Sequence, residues 1–267
     1  MSSEPQSSQI KPGQEISGQV LHKGRWRHKG IYLLPNLFTT GALFCGFFAI
    51  VKAMNGDFET AAFAIAAAMV LDALDGRVAR MTSTQSAFGA EYDSLSDMVS
   101  FGVAPALVIY EWSLKDLGKL GWIATFVYVA GGALRLARFN TQLDNPDKRF
   151  FQGLPTPSAA ALVSGFVWIM NERFGIRGVD VPFISVAVSM LVGLTMVSNL
   201  PYYSFKSINM KRSVPFIVIV LLVLAFALAM YDPIAVFFSV FVVYWLSGYL
   251  LGSWRFVQSK RQKPLAQ

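Results

Sequence analysis

Long apolar stretches alternate with short polar breaks along most of this chain. A helix of about 20 apolar residues crosses a hydrocarbon core of about 30 Å, and proline, glycine and charged residues mark where such runs end. The pattern predicts an all-α, polytopic membrane protein with about eight transmembrane helices in one domain. The predicted helices span residues 36–54, 58–81, 90–112, 120–139, 157–174, 181–200, 214–230 and 233–254.

The segments that flank this domain have a different composition. Residues 1–20 are rich in Ser, Gln, Gly and Pro and are predicted to be a disordered tail without a cleavable signal peptide. Residues 21–34 are basic and then apolar, a pattern that fits an interfacial helix on an anionic leaflet or a plain cytoplasmic anchor. The transmembrane domain is predicted over 35–257 and a basic tail over 258–267.

Composition and charge support a membrane protein. Hydrophobic residues make up 54% of the 267 residues and charged residues only 15%, whereas about 25% is usual in soluble domains. The net charge of +7 would suit a nucleic-acid partner, but Lys and Arg are confined to the chain ends and the short loops. Most of them fall on one side of the predicted bundle, which predicts a protein of the inner (cytoplasmic) membrane with both termini in the cytoplasm. This distribution argues against nucleic acid as the partner.

Four aspartates stand out within the apolar pattern. Asp72 and Asp75 end the second predicted helix, and Asp93 and Asp97 lie near the start of the third. Spacings of three and four residues place each pair on one helix face. An antiparallel hairpin would bring the two faces together, and charges inside spanning segments usually mark function or a buried partner.

Four adjacent carboxylates repel one another unless a cation neutralises them. Hard oxygen ligands favour Mg²⁺, Mn²⁺ or Ca²⁺, and the only histidines, His22 and His28, lie far away in the tail. We therefore expect divalent metal on the four aspartates, and two metals could clamp a pyrophosphate. Helix capping, or ion pairs with Arg77 and Arg80, would explain one or two of them.

Residues between the aspartates also fit a phosphate site. Gly76 and Ala79 would leave a groove, Gly89 would allow close approach of the chain, and Arg80 offers a planar fork suited to phosphate. Packing between small residues explains each glycine or alanine equally well. Arg80 alone would be an ordinary cytoplasmic arginine.

Taken together, residues 72–97 resemble the signature of the CDP-alcohol phosphotransferases, D-x₂-D-G-x₂-A-R-x₈-G-x₃-D-x₃-D, at every fixed position. The resemblance implies a homodimeric helical bundle with two Mg²⁺ or Mn²⁺ ions per site, where Ca²⁺ would be an inhibitory occupant. It implies that CDP-diacylglycerol binds at the cytoplasmic face. In the family pattern Asp72, Asp75 and Asp93 match metal ligands, and Asp97 matches the proposed general base. Gly76, Ala79, Arg80 and Gly89 match residues around the nucleotide and its phosphates.

The acceptor alcohol must be recognised by residues outside the signature. Four stretches, LPNLFTTGALFCGF (34–47), GALRLARFN (132–140), GLPTPSAA (153–160) and SNLPYYSFKSIN (198–209), resemble the membrane-embedded members of the family that transfer to L-serine. In these stretches Arg135, Arg138 and Lys206 could meet an acceptor carboxylate or phosphate, although each also suits cytoplasmic anchoring. Asn36 and Thr39 could hydrogen-bond the nucleotide, or Asn36 could cap its helix.

Three functions remain open from the sequence. The first is transfer of a phosphatidyl group from CDP-diacylglycerol to L-serine with release of CMP. The second uses glycerol 3-phosphate as the acceptor, whose phosphate would suit the same arginines. The third is a divalent-cation transporter with an intramembrane ion site. Two observations count against it, because the clustered aspartates lie near helix ends and the cluster has no duplicate in the second half of the chain.

Overall fold

The computed structural model describes residues 33–82, 86–141, 150–203 and 216–261. The predicted tail 1–20 and nearly all of the predicted interfacial helix lie outside these ranges, as does Lys206. The described part of the chain is nearly all-α. Its helices are α1 (Leu33–Met54), α2 (Phe58–Thr82), α3 (Ala87–Asp97), α4 (Ala104–Ile109), α5 (Lys119–Thr141), α6 (Thr156–Trp168), α7 (Pro182–Val197), α8 (Phe216–Tyr231) and α9 (Pro233–Arg261).

Shorter helical turns extend several of these helices. One π-helical turn, Met98–Val103, joins α3 to α4, and a second, Tyr110–Leu114, leads from α4 into the 3-10 turn Lys115–Leu117. The π-helical turn Ile169–Arg173 extends α6, and the 3-10 turn Gly178–Asp180 precedes α7. The predicted helices therefore correspond to observed helical segments, with shifted ends. The last helix runs to Arg261, so the predicted basic tail from residue 258 begins as helix.

The π-helical turn between α3 and α4 has a local cause. Pro105 lies in the first turn of α4, and proline has no N–H to donate to the carbonyl four residues earlier, at Phe101. The Tyr128 hydroxyl donates to that carbonyl at 3.0 Å, and both Tyr128 and Phe101 are fully buried. The region 90–112, predicted as a single helix, is therefore helical throughout, but its backbone hydrogen bonds change from α-helical to π-helical after Asp97. The Tyr128 hydroxyl of α5 replaces the N–H that Pro105 lacks.

The prediction of a purely helical chain was wrong at one place. Strands β1 (Phe150–Gln152) and β2 (Pro201–Tyr203) form a two-stranded antiparallel sheet. Gly153 ends β1 with a positive φ of 78° and donates its N–H to the Leu200 carbonyl at 2.9 Å. The predicted helix 181–200 stops at Val197 because the chain must become extended before β2. This sheet closes one end of the bundle next to α9.

An ion pair stabilises the turn between α1 and α2. Lys52 Nζ lies 3.0 Å from Asp57 Oδ2, and this hydrogen bond lowers the pKa of Asp57. The other carboxylate oxygen, Oδ1, accepts the Thr60 N–H at 3.2 Å and so satisfies a free donor at the start of α2. Gly56 between them has a φ of 77°. This turn precedes α2, whereas Asp72 and Asp75 lie toward the other end of that helix.

The outer surface suits lipid. Within the described residues, three helical segments are long and apolar enough to cross a membrane, namely Asn36–Met54, Lys119–Thr141 and Pro233–Arg255, and Pro182–Val197 is a shorter apolar helix. Large side chains such as Phe44, Phe47 and Phe63 are more than half exposed. A total of about eight spans stays a prediction.

Small residues allow the helices to pack closely. Ala49 of α1 and Ala61 and Ala68 of α2 are fully buried. Between α5 and α7, a Cβ atom at Gly131 would overlap the carbonyl of Gly193. Close backbone approach of this kind is how helices associate in lipid, where the hydrophobic effect does not drive them together.

Candidate active site

The aspartates of α2 and α3 lie close to one another. Asp72, Asp75 and Asp93 each place a carboxylate oxygen within 4.8 Å of the others. Asp97 lies beside this trio, and its carboxyl group is within hydrogen-bonding reach of Asp72. The structure therefore brings together the four residues that the spacing predicted to converge.

Helix α1 fixes the register of α3 against the rest of the bundle. Ser96 Oγ donates to the Thr39 carbonyl at 3.1 Å, and Ser100 Oγ donates to the Ala42 carbonyl at 3.0 Å. Both serines are buried. Because these bonds flank Asp97 in sequence, they set the height at which the α3 aspartates face α2.

Ser86 is the N-cap residue of α3, immediately before Ala87, and it was not among the predicted site residues. Its hydroxyl accepts the Gly89 N–H at 3.0 Å, which satisfies one of the free donors of the first turn. A serine immediately before a helical run is a recognisable N-cap signal. That signal could have placed the start of α3 at Ala87 instead of Ala90.

The carboxylate trio fits a divalent cation. Asp75 is buried, and Asp93 Oδ1 is buried without a hydrogen-bond partner among the described residues. A buried carboxylate oxygen that lacks a donor calls for a cation. Oxygen-only ligands that converge in this way are typical of hard divalent cations. Asp72, Asp75 and Asp93 are thus the residues that would hold a metal, with Asp97 next to them.

A cavity of about 250 Å³, called here the small cavity, opens beside Asp75 and Asp93. Its wall includes every residue predicted from the sequence to contact the nucleotide. It is lined by Asn36, Thr39, Asp75, Gly76, Ala79, Arg80, Ser86, Gly89, Ala90 and Asp93.

The glycines of the small cavity keep it open. A Cβ atom at Gly89 would lie 3.1 Å from Ser86 Oγ and 3.4 Å from Asn36 Oδ1. At Gly76 the nearest neighbour of such an atom would be Arg80 Nη1, 3.9 Å away. Gly89 therefore lies at the tighter point of the wall.

Two polar residues of α1 were predicted to contact the nucleotide, and both line the small cavity. Thr39 lines the small cavity, but its hydroxyl donates to Asp75 Oδ2 at 2.7 Å, so it supports a carboxylate directly. Asn36 is not a helix cap, because α1 already begins at Leu33. Its side chain instead lines the small cavity.

A second cavity of about 1250 Å³, called here the large cavity, lies beside Asp72. The charged residues in its wall are Asp72, Arg77 and Arg80, and most of the remaining wall is apolar. Arg80 lines both cavities. The other lining residues are Met69, Ala73, Phe151, Pro155, Pro157, Ser158, Tyr203, Ser239, Val240, Phe241, Val243, Tyr244 and Ser247.

The residues predicted to bind the acceptor differ in their placement. Arg135 is 8% exposed and donates from Nη1 to Thr156 Oγ1 at 2.9 Å, while its Nε is buried without a partner among the described residues. It interacts electrostatically with Asp97. Arg138 is half-buried and donates to Asn199 Oδ1 at 3.3 Å. Of these two arginines, Arg135 is the one that the structure links to the aspartates.

Two residues of this neighbourhood were missed by the sequence reasoning. Thr156 is fully buried at the start of α6, and Tyr244 of α9 lines the large cavity. Neither carries a charge, and although Thr156 lies in the quoted stretch 153–160, nothing there marks it as the partner of Arg135. Their positions depend on contacts between helices that are distant in sequence.

Comparison with known proteins agrees with this geometry. The sequence pattern of the CDP-alcohol phosphatidyltransferases matches residues 32–197. A CDP-diacylglycerol–serine O-phosphatidyltransferase of Helicobacter pylori is 38% identical over 221 residues, which cover 82% of this chain and 92% of that protein. The chain belongs to the CDP-alcohol phosphatidyltransferase family.

Further members of the family are also similar to this chain. A CDP-diacylglycerol–serine O-phosphatidyltransferase of Mycobacterium bovis is 33% identical over 229 residues, covering 83% of this chain and 78% of that protein. An archaetidylserine synthase of Methanothermobacter thermautotrophicus is 36% identical over 173 residues, covering 63% of this chain and 69% of that protein.

Membership settles the broad class of the protein. CDP-alcohol phosphatidyltransferases use divalent metals, and the aspartate trio can hold one. With its apolar helices, the chain is a membrane-embedded enzyme and not a cation transporter. The matched region ends at residue 197, so β2, α8 and α9 lie beyond the shared domain.

Proposed function

We propose that this enzyme transfers the phosphatidyl group of CDP-diacylglycerol to the hydroxyl of L-serine and releases CMP. One observation carries the proposal. The aspartate cluster lines two cavities, because Asp75 and Asp93 line a small, partly polar one and Asp72 lines a large, mostly apolar one. The donor has the same division, because its pyrophosphate joins a polar nucleotide to two acyl chains.

The two cavities suggest how the donor lies. The cytidine end would occupy the small cavity beside Asn36, Gly76 and Gly89, where a missing side chain leaves room. The diacylglycerol end would enter the large cavity, which at about 1250 Å³ exceeds the volume of typical drug-sized sites. Arg80 lines both cavities and can therefore contact the phosphates between them.

Two Mg²⁺ or Mn²⁺ ions are proposed on Asp72, Asp75 and Asp93, with Asp97 at the edge of the site. Mg²⁺ and Mn²⁺ both suit oxygen-only ligands, and Ca²⁺ would occupy the site as an inhibitor. When bound, such ions neutralise the pyrophosphate and polarise its phosphorus. Thr39 orients one of the ligands through its bond to Asp75 Oδ2.

In the proposed reaction Asp97 accepts the proton of the serine hydroxyl. The serine oxygen forms a bond to the β-phosphorus, and the bond from that phosphorus to the oxygen bridging to CMP breaks. The products are CMP and phosphatidylserine. Most of the rate enhancement would come from positioning and charge neutralisation, as in other phosphoryl transfers.

Arg135 supports an amino-acid acceptor. Its guanidinium group is nearly buried, leaves Nε without a partner in the described structure and interacts with Asp97. A carboxylate placed there would satisfy Nε with a charge-assisted hydrogen bond. Serine carries this carboxylate two bonds away from the carbon that bears its hydroxyl. Arg138 and Lys206 are proposed as further acceptor contacts on the basis of the sequence.

The organisation predicted from the sequence completes the proposal. The transmembrane domain would cover about residues 35–257 with eight spans, preceded by a tail over 1–20 and an interfacial helix over 21–34. Both termini and the active site would face the cytoplasm of an inner membrane, since most Lys and Arg fall on that side. A homodimer is expected from the family resemblance.

Release of CMP by the purified enzyme tests this function. Wild-type protein in mixed micelles should release CMP from CDP-diacylglycerol when L-serine and Mg²⁺ or Mn²⁺ are supplied. Asp97→Asn should abolish that release because it removes the proton acceptor. Release with glycerol 3-phosphate and not with serine would show that the acceptor assignment is wrong, and no release with either would contradict the proposed reaction.

A further inference from the structure

Tyr244 connects the C-terminal helix to the acceptor side of the active site. Its side chain lines the large cavity together with Asp72. Its phenol group also interacts electrostatically with Arg135, the same buried guanidinium that interacts with Asp97. Arg135 also donates to Thr156 Oγ1 at 2.9 Å, and Thr156 stands in the chain between Pro155 and Pro157, which line the large cavity with Tyr244.

The hydroxyl of Tyr244 forms a long hydrogen bond with the main chain of β2. It donates to the Tyr203 carbonyl at 3.2 Å, whereas O–H···O hydrogen bonds are typically about 2.7–2.8 Å long. An acceptor that carries a negative charge forms a shorter and stronger bond. A carboxylate bound at Arg135 would therefore compete well for this donor.

We propose that Tyr244 binds the carboxylate of the acceptor together with Arg135 and thereby selects an amino acid over other alcohols. The inference rests on the proposed function and adds a residue from outside the shared family domain. Arg135 supplies the charge, and Tyr244 supplies a second donor from α9. A neutral alcohol of the same size gains neither bond.

Helix α9 is held firmly enough to position such a donor. The Tyr202 hydroxyl donates to the Trp245 carbonyl at 3.1 Å, and Tyr202 is fully buried. A Cβ atom at Gly248 would overlap the ring of Tyr202, so the helix lies directly on β2. The rings of Tyr202 and Tyr244 also pack with their centroids 5.4 Å apart. The ring of Tyr244 is therefore held in place, whereas its O–H bond can rotate toward another acceptor.

The position of α9 suits a role in acceptor choice. Family members share the donor chemistry of the signature, whereas the signature cannot distinguish between acceptors. The family match ends at residue 197, well before Tyr244. A residue outside the shared region can change the acceptor preference without disturbing the aspartates that the common reaction requires.

Steady-state kinetics of Tyr244→Phe test the proposal, because this change keeps the ring and removes only the hydroxyl. We expect the KM for serine to rise about tenfold or more and the KM for CDP-diacylglycerol to stay within about twofold. Serinol, which has the amine and a hydroxyl but no carboxylate, is measured as a competitor of serine. Its inhibition constant should not change, because it never used the Tyr244 hydroxyl.

Tyr249→Phe provides the matched control on the same helix. The Tyr249 hydroxyl bonds Thr195 Oγ1 at 2.6 Å, so the control loses a hydroxyl and a hydrogen bond away from the large cavity. It should keep the KM for serine. An unchanged KM for serine in Tyr244→Phe would overturn the inference, as would an equal weakening of serine and serinol. If the wild-type enzyme fails to use serine, the proposed function itself is wrong.

Discussion

The bond from Thr39 to Asp75 makes the metal affinity of this site testable without touching a ligand. Thr39→Val keeps the branched shape of the side chain and removes the hydroxyl that donates to Asp75 Oδ2 at 2.7 Å. Both residues are buried, with exposed fractions of 4% and 5%. Water therefore cannot readily replace the lost donor.

The size of the effect follows from the kind of hydrogen bond. A hydrogen bond to a charged group contributes about 1.5–3 kcal/mol, and each 1.4 kcal/mol corresponds to about tenfold in an equilibrium constant. The variant should therefore bind metal about 10- to 100-fold more weakly. Loss of residues that orient metal ligands in other proteins typically costs about the same factor.

The assay measures CMP release against Mg²⁺ concentration at saturating CDP-diacylglycerol and serine. In Thr39→Val the concentration for half-maximal activity should rise about 10- to 100-fold, while the maximal rate stays within a few-fold of wild type. Thr125→Val is the control, because the buried Thr125 hydroxyl donates to the Gly121 carbonyl of its own helix. Its metal dependence should match wild type.

A different result would refute the assigned role. If the metal dependence of Thr39→Val is unchanged and the KM for CDP-diacylglycerol rises instead, the hydroxyl binds the nucleotide, as the sequence first suggested. Thr39 lines the small cavity, so this outcome is physically accessible. The two kinetic constants therefore decide between the two roles.

Two further substitutions test the packing around the site. Gly89→Ala should raise the KM for CDP-diacylglycerol several-fold, because the added methyl group meets the small-cavity wall at 3.1 Å, whereas Gly76→Ala has 3.9 Å and should have the smaller effect. Gly46→Ala should destabilise the protein by about 1–3 kcal/mol, because its Cβ would lie 2.6 Å from Ser100 Cα. A lower Tm in detergent, compared with Gly41→Ala, checks this, since the Cβ of Gly41 would meet only a flexible leucine side chain at 3.2 Å. Equal Tm values for the two variants would contradict the packing argument.

The helices and the aspartate cluster could be predicted because local rules determine them. A helix in lipid must be apolar over its length, so the ends of α2 and α5 lie close to the predicted ones. The spacing of Asp72 and Asp75, and of Asp93 and Asp97, fixes which side chains share a face. These features need no knowledge of the neighbouring helices.

Other features depend on distant partners and could not be read from local pattern. The donor that bonds the Phe101 carbonyl left free by Pro105 is the hydroxyl of Tyr128, which comes from another helix. The short sheet forms only when Phe150–Gln152 meets Pro201–Tyr203. Thr39 looked like a nucleotide ligand because nothing local shows that Asp75 faces its hydroxyl.

The placement of the site residues suggests how one family can keep its donor while changing its acceptor. The small cavity and the aspartates come from α1, α2 and α3, which are contiguous in the chain and match the family pattern. Arg135 and Tyr244 come from α5 and α9, which follow these helices in the chain. Because the two sets share few side chains, a substitution in α9 alters acceptor binding while the metal ligands keep their geometry. Tyr244→Phe and Thr39→Val should therefore have independent effects, and in the double variant the rise in the KM for serine and the rise in the metal requirement should each equal that of the corresponding single variant.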